Sequence, residues 1–205
     1  MSRDHLFVVG GVAAGLAAAM EARRRSPDLA ITVLERTADI SYGACGLPYV
    51  IAGRIPSLEQ LYAHAPEYFR ERHGIDVRLN SEALEILPAR STLRFREAGE
   101  EREASYSALV IATGAAAVCP PLPGHDLGGV FVLRHMRDGR RLLRYIEEAR
   151  PRAAAVVGAG YIGLEMAEAF ASRGLRTTLV EASDKIMSVV GGRARDLAAE
   201  ELRSN

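Results

Sequence analysis

The chain has 205 residues, of which 48% are hydrophobic, and 26 Lys plus Arg balance 26 Asp plus Glu. That length and apolar content suit one generous domain or two compact ones with a real core. Zero net charge gives no field steering the chain toward nucleic acid or an anionic membrane surface, so neither is expected as a partner.

In chain order, Met1-Ser2-Arg3-Asp4-His5 runs straight into an apolar strand, Leu6 to Val9, which leaves no room for a secretion leader and predicts a cytosolic protein. Gly10-Gly11-Val12-Ala13-Ala14-Gly15 opens an Ala-rich helix running to Arg25, closed by Pro27. Ala30 to Leu34 is a β-branched strand ending at Glu35, which completes a strand-helix-strand unit in about thirty residues. Leu47 to Ala52 reads as helix, and so does Ala65 to His73, with Pro66 in its first turn and Gly74 as its stop. Val77 to Leu79, Ala83 to Leu87 and Thr92 to Arg96 read as an antiparallel meander inserted in a parallel sheet. Leu109 to Ala112 returns to a buried strand that breaks at Thr113-Gly114.

Ala104 to Gly124 carries no charge, but Gly114, Pro120, Pro121 and Pro123 interrupt it, so no membrane span is expected there. A Pro-rich link leads through Val130 to Leu133 and a helix from Asp138 to Ala149. A second unit then begins: strand Ala154 to Val157, turn Gly158-Ala159-Gly160-Tyr161-Ile162-Gly163, helix to Ser172, Gly174, and strand Thr177 to Val180 ending at Glu181. One more helix spans Arg193 to Arg203. The expected architecture is α/β, with two Rossmann-like, doubly wound parallel-sheet units. The first carries the β-meander insert, and the second, with two strands, is incomplete, so the chain reads as the front of a longer enzyme. The expected divisions are 1–120, a connecting segment 121–150, and 151–205.

Gly158, Gly160 and Gly163 fit the G-x-G-x-x-G pattern. The first permits the tight turn, the second lets the backbone approach a pyrophosphate, and the third lets helix and strand pack. The phosphates would sit on the helix N-terminus, and Glu181, eighteen residues past Gly163, is placed to receive ribose hydroxyls. No arginine directly follows Glu181, which favours NADH over NADPH. In the first turn Gly10 and Gly15 hold the outer positions while Val12 replaces the middle glycine. Glu35, twenty residues past Gly15, supplies the acid.

Cys45 stands in Ser41-Tyr42-Gly43-Ala44-Cys45-Gly46-Leu47-Pro48-Tyr49, just before an expected helix whose N-terminus would favour a thiolate. The alternative is a buried small hydrophobe. Cys119, in its Pro-rich setting, is not expected to pair with it. The five histidines are scattered, and no metal site is expected.

With these motifs in hand the chain resembles the FAD-dependent pyridine nucleotide-disulfide oxidoreductases, specifically their single-cysteine branch. That branch comprises coenzyme A-disulfide reductases, NADH:polysulfide or persulfide reductases, and NADH oxidases and peroxidases. The most specific parts are the turn at Gly10 to Gly15, the segment Ser41 to Tyr49, Ala112-Thr113-Gly114, and Gly158-Ala159-Gly160-Tyr161-Ile162-Gly163-Leu164-Glu165. The resemblance implies FAD on the first unit, held by Gly10, Gly11, Val12, Ala13, Ala14 and Gly15, by Glu35 and Arg36, by Ala83 near the adenine, and by Ala112, Thr113 and Gly114.

It also implies NADH on the second unit, with Tyr161 covering the flavin, Ile162 beside it, and Glu165 positioning the nicotinamide. Cys45 would be the redox centre for a small-molecule sulfur substrate, with coenzyme A contacted by Arg24 and Ser41. A full-length member would be a homodimer, completed by segments beyond those seen here. From the residues alone, Tyr161 also reads as a packing aromatic, Glu165 and Arg24 as solvated helix residues, and Ser41 as a turn residue. Three further readings stand beside the reductase: an oxidase or peroxidase cycling Cys45 through a sulfenic acid, a thiol-independent flavoprotein electron carrier, and a fragment inactive by itself.

Overall fold

Phe7 and Val8 are almost fully buried at the centre of the first strand, β1 (His5–Val9). A strand covered on both faces needs apolar residues at successive positions, which Leu6-Phe7-Val8-Val9 provides. The computed structural model describes residues 4–187 and 191–204. In chain order β1 is followed by α1 (Ala13–Arg25), β2 (Ala30–Leu34), α2 (Leu47–Ile51), α3 (Pro66–His73), β3 (Asp76–Arg78), β4 (Ser81–Leu87) and β5 (Thr92–Glu97). Then come β6 (Glu100–Ser105), β7 (Ala108–Ile111), α4 (Met136–Ala149), β8 (Ala153–Val157), α5 (Tyr161–Ser172), β9 (Arg176–Val180) and α6 (Gly192–Ser204).

The chain forms two compact units, Met1–Gly43 with Leu61–Val118, and Ala44–Gln60 with Cys119–Asn205. In the first, a parallel sheet of order β3-β2-β1-β7 is joined by an antiparallel sheet β4-β5-β6. The period-two alternation of strands sorts their side chains onto opposite faces. Leu6, Val8, Ile31, Val33 and Val77 pack with Leu16 and Ala19 of α1 and Phe69 of α3, while Phe7, Val9 and Leu34 meet Leu93 and Phe95 of β5. Each fully buried side chain of this size contributes about 1.5–3 kcal/mol relative to exposure. Basic residues Arg23, Arg24 and Arg25 close α1, where they oppose the negative end of its dipole.

Four sequence expectations need correction. The strand expected to be buried at Leu109 to Ala112 is β7, in which Ala108 and Ile111 are exposed and Ile111 is 63% accessible. Val77 to Leu79 does not open the meander: β3 pairs in parallel with β2, Val33 opposite Val77, and joins the main sheet because Val77 fills its core. The meander's third strand is instead β6, Glu-Glu-Arg-Glu-Ala-Ser, whose charges hide any apolar alternation. It is held by pairing with β5 and by cross-strand ion pairs, Arg96–Glu101 at 3.0 Å and Arg102–Glu97 at 2.9 Å. Helix α4 starts two residues before Asp138, because that buried side chain sits at the third helical position and accepts the His135 N–H at 2.8 Å in a capping box.

In the second unit, β8 and β9 pair in parallel. Ile51 of α2 packs with Leu142 of α4 and with Met166 and Ala169 of α5. Glu168 of α5 takes Arg54 at 2.5 Å, and Arg173 donates to the Ile51 carbonyl. Val130 to Leu133 is irregular chain, with Phe131 and Leu133 packed against this cluster.

Candidate functional site

In the order β3-β2-β1-β7 the chain moves outward from β1 to β3 and then returns to the other side of β1. The switch point therefore lies at the carboxyl ends of β1 and β7, where open α/β sheets bind ligands. Gly10 leaves β1 there at φ +114°, and a Cβ on it would lie 2.2 Å from the Ala112 carbonyl oxygen. Ala112 itself donates to Val9 O at 2.8 Å, which sets Thr113 and Gly114 beside the turn. A Cβ on Gly15 would come within 1.8 Å of Gly10 O, so α1 closes directly onto the turn. Val12 is the N-cap of α1, no side chain caps the helix, and its first turn holds no acid. Ala13 and Ala14 are exposed beside it.

Glu35 is buried at the end of β2. Its Oε2 accepts the Gly11 N–H at 2.8 Å, and its Oε1 accepts the Thr37 N–H at 2.9 Å and the Thr37 hydroxyl at 2.8 Å. Arg36 points to solvent. The loop then bends at Ser41, in the left-handed region at φ +53°, and its N–H reaches Gly11 O at 3.0 Å.

The second unit repeats this device. Gly158 lies at φ +101°, and a Cβ on Gly163 would sit 1.9 Å from Gly158 O. Gly160 is the N-cap of α5, again without a side-chain cap or an acid in the first turn. Glu181 Oε2 accepts the Ala159 N–H at 2.6 Å, while Oε1 accepts the Ser183 N–H at 3.0 Å and hydroxyl at 3.1 Å. The Ser183 N–H first, then that of Ala159 and the Ser183 hydroxyl, hold the Glu181 carboxyl below the usual carboxylate range. Met187 is left-handed at φ +45° and its N–H meets Ala159 O at 2.9 Å. Tyr161 and Ile162 begin α5 and are more than half exposed. Glu165 follows Tyr161 by one turn on the same face.

Uncapped helix N–H groups, small residues at the turn and a terminal acid together fit the pyrophosphate and ribose of one dinucleotide per unit. The copies differ at the first glycine: a Cβ on Gly158 meets nothing within 4 Å, whereas Gly10 abuts the end of β7.

The cysteine segment starts in the first unit and ends in the second. Gly43 donates to Leu61 O at 2.9 Å and Ala63 to Ser41 O at 2.7 Å, with Tyr42 bridged to Tyr62. Cys45 lies in a 3-10 turn, Ala44–Gly46, and its thiol is free and exposed, which rules out the buried-hydrophobe reading. The helix after it, α2, has five residues, so a dipole argument there is weak. Cys119 is likewise free and exposed.

The sequence pattern of the pyridine nucleotide-disulphide oxidoreductases matches residues 4–205. The chain belongs to that family. An NADH oxidase of Methanocaldococcus jannaschii is 38% identical over 182 residues, covering 88% of this chain and 41% of the relative. A CoA-dependent NAD(P)H sulfur oxidoreductase of Pyrococcus furiosus is 35% identical over 100% of this chain and 46% of its own. The crystal structure of reduced Bacillus anthracis CoADR-RHD superposes with a TM-score of 0.94 at 33% identity, over 100% of this chain and 37% of that one. The chain thus spans less than half the length of the curated relatives it matches.

The remaining sequence candidates fall in different places. Ser41 meets the first turn, as described. Arg24 lies at the opposite end of α1, about 16 Å along the helix axis, with its guanidinium held bidentately by Glu21 at 2.8 and 2.7 Å. Ala83 lies on β4, packed against the cluster of Phe7, Val9 and Leu34. Sequence reasoning missed Thr37 and Ser183. The signal was present, a hydroxyl two residues past the terminal acid in both copies, but only an alignment of the two units against each other exposes it. Among the described residues, no helix is long and apolar enough to cross a membrane.

Proposed function

We propose that this chain carries the FAD-binding unit, the first part of the NADH-binding unit and the reactive thiol of a flavoprotein that reduces a small sulfur substrate: coenzyme A disulfide, a polysulfide or a persulfide. The observation that carries the reading is an exposed, unpaired Cys45, in a segment tied to the Gly11 turn through Ser41, lying in sequence between two copies of one dinucleotide cradle.

Residues 1–120 would hold FAD. The first-turn N–H groups of α1 would meet the pyrophosphate, Glu35 a ribose, Arg36 the solvent side of that ribose, Ala83 the adenine region, and Ala112, Thr113 and Gly114 the rest of the cofactor. Residues 151–205 would hold NADH through Gly158, Gly160 and Gly163, with Glu181 on the adenosine ribose and Tyr161, Ile162 and Glu165 toward the nicotinamide. The low pKa of Glu181 keeps it ionised at neutral pH, so a 2′-phosphate would meet a negative charge, and NADPH is disfavoured. The chemistry that FAD supplies when bound is two-electron transfer from nicotinamide to sulfur.

The chain's own step is thiol-disulfide exchange. The Cys45 thiolate Sγ attacks one sulfur of the substrate disulfide, and an Sγ–S bond forms as the substrate S–S bond breaks. The other half leaves as a thiolate, with no net change in oxidation. The proposed coenzyme A contacts are Ser41 and Arg24, the latter once released from Glu21. A longer form of the protein is proposed to work as a homodimer.

A second reading, an oxidase or peroxidase that passes Cys45 through a sulfenic acid, is favoured by the name of the Methanocaldococcus relative. Cys45→Ser in the natural gene product tests both. Loss of more than about a hundredfold in coenzyme A disulfide turnover, with NADH-to-dye electron transfer retained, supports the reductase. Disulfide turnover within twofold of the parent contradicts it. Peroxide or oxygen consumption far exceeding disulfide turnover in the parent protein selects the second reading.

A further inference from the structure

We propose that Thr37 and Ser183 are positioning residues that set the shape of the two glycine turns before any nucleotide arrives; their consequence for binding rests on the FAD and NADH reading above. Each stands two residues past a terminal acid, in Glu35-Arg36-Thr37 and Glu181-Ala182-Ser183. Thr37 Oγ1 lies 2.8 Å from Glu35 Oε1 and 3.1 Å from Asp39 O. Ser183 Oγ lies 3.1 Å from Glu181 Oε1 and 2.7 Å from Lys185 O. The backbone N–H of the same residue donates to the same carboxylate oxygen in both copies.

Oε1 is therefore held from two directions, which stops rotation of the carboxylate and leaves Oε2 aimed at the N–H of the turn's second residue, Gly11 or Ala159. The loop closes on the other side of that residue through the N–H of Ser41 or Met187. One residue in each turn is thus gripped at its N–H by the acid and at its carbonyl by the loop that follows. A carboxylate oxygen has about two acceptor sites, so Glu35 Oε2 keeps one for a ribose hydroxyl. Beyond the acid and this hydroxyl the two loops share only Ile40 and Ile186, so it is the hydrogen-bonding chemistry that repeats. Preorganisation of this kind raises affinity by removing the cost of ordering at the moment of binding.

The test uses Thr37→Val with Thr37→Ser, and Ser183→Ala with Ser183→Thr, in the natural gene product. Amide exchange is followed by NMR without nucleotide. Thr37→Val is expected to speed exchange at Gly11 about tenfold, leaving Ala159 unchanged, and Ser183→Ala to do the reverse, with each conservative variant restoring protection. The same variants are expected to weaken FAD and NADH binding respectively by about tenfold. Unchanged exchange at both amides overturns the proposal, as does exchange that quickens in both turns with either variant. Selective exchange changes in a natural gene product that binds neither FAD nor NADH would uphold the positioning role and refute the cofactor assignment instead.

Discussion

His5 stacks on Phe7 with ring centroids 4.4 Å apart, and its Nε2 lies 2.9 Å from Thr32 Oγ1 across the β1–β2 pair. Burial first, then the nearby Arg78 guanidinium, pushes its pKa below the ordinary 6.5, with Asp76 pulling the other way. The folded state thus favours the neutral ring, and below pH 6.5 the unfolded chain takes up protons that the folded chain refuses. Stability is expected to fall as pH drops from 6.5 toward the lower folded-state value. Thermal unfolding should show a sloping Tm over that interval in the parent, and a flatter one in His5→Gln, which keeps a hydrogen-bonding side chain but cannot titrate. An equal slope in both would refute this role. Glu181 works in the same sense in a more acid window: its depressed pKa contributes stability above 4.5 that disappears in stronger acid, so the two groups act one below the other on the pH scale.

Among the elements, the two glycine turns separate folding from binding. A Cβ on Gly163 would collide with the Gly158 carbonyl at 1.9 Å, while one on Gly160 meets nothing within 4 Å, and Gly160 already has extended backbone at φ −79°. Gly163→Ala is therefore expected to cost about 2–3 kcal/mol in urea unfolding. Gly160→Ala should stay within about 0.5 kcal/mol yet weaken NADH binding, because its methyl would stand where the proposed cofactor's pyrophosphate approaches. Equal destabilisation by the two would contradict this division. The outer glycines and terminal acids were legible in the sequence because tight turns and strand ends are local. Strand β6 was not, since it is held by its backbone ladder with β5 and its charged residues hide any apolar alternation. Strand β3 was misplaced because three residues carry no mark of parallel or antiparallel pairing. The hydroxyls at Thr37 and Ser183 looked like ordinary polar loop residues until their partners were seen.

At the scale of the molecule, the chain passes between its two units after Gly43, after Gln60 and after Val118. Nothing local in the sequence assigns residues 44–60 to the second unit, since the contacts that do so join Ile51 to Leu142 and Met166, far apart in the chain. The second unit also leaves Val157 62% and Val180 48% exposed at the ends of β8 and β9, whereas in the first unit the comparable Val9 and Leu34 are buried under the meander. That contrast accords with a chain spanning less than half of its relatives' length. The two exposed thiols are expected to differ in kind. The most direct measurement is to incubate the chain with coenzyme A disulfide and locate the adduct by peptide mass spectrometry. The expected result is one coenzyme A per chain, on Cys45, with Cys119 left free; modification of Cys119 at an equal or faster rate, or an unreactive Cys45, would contradict a special role for Cys45.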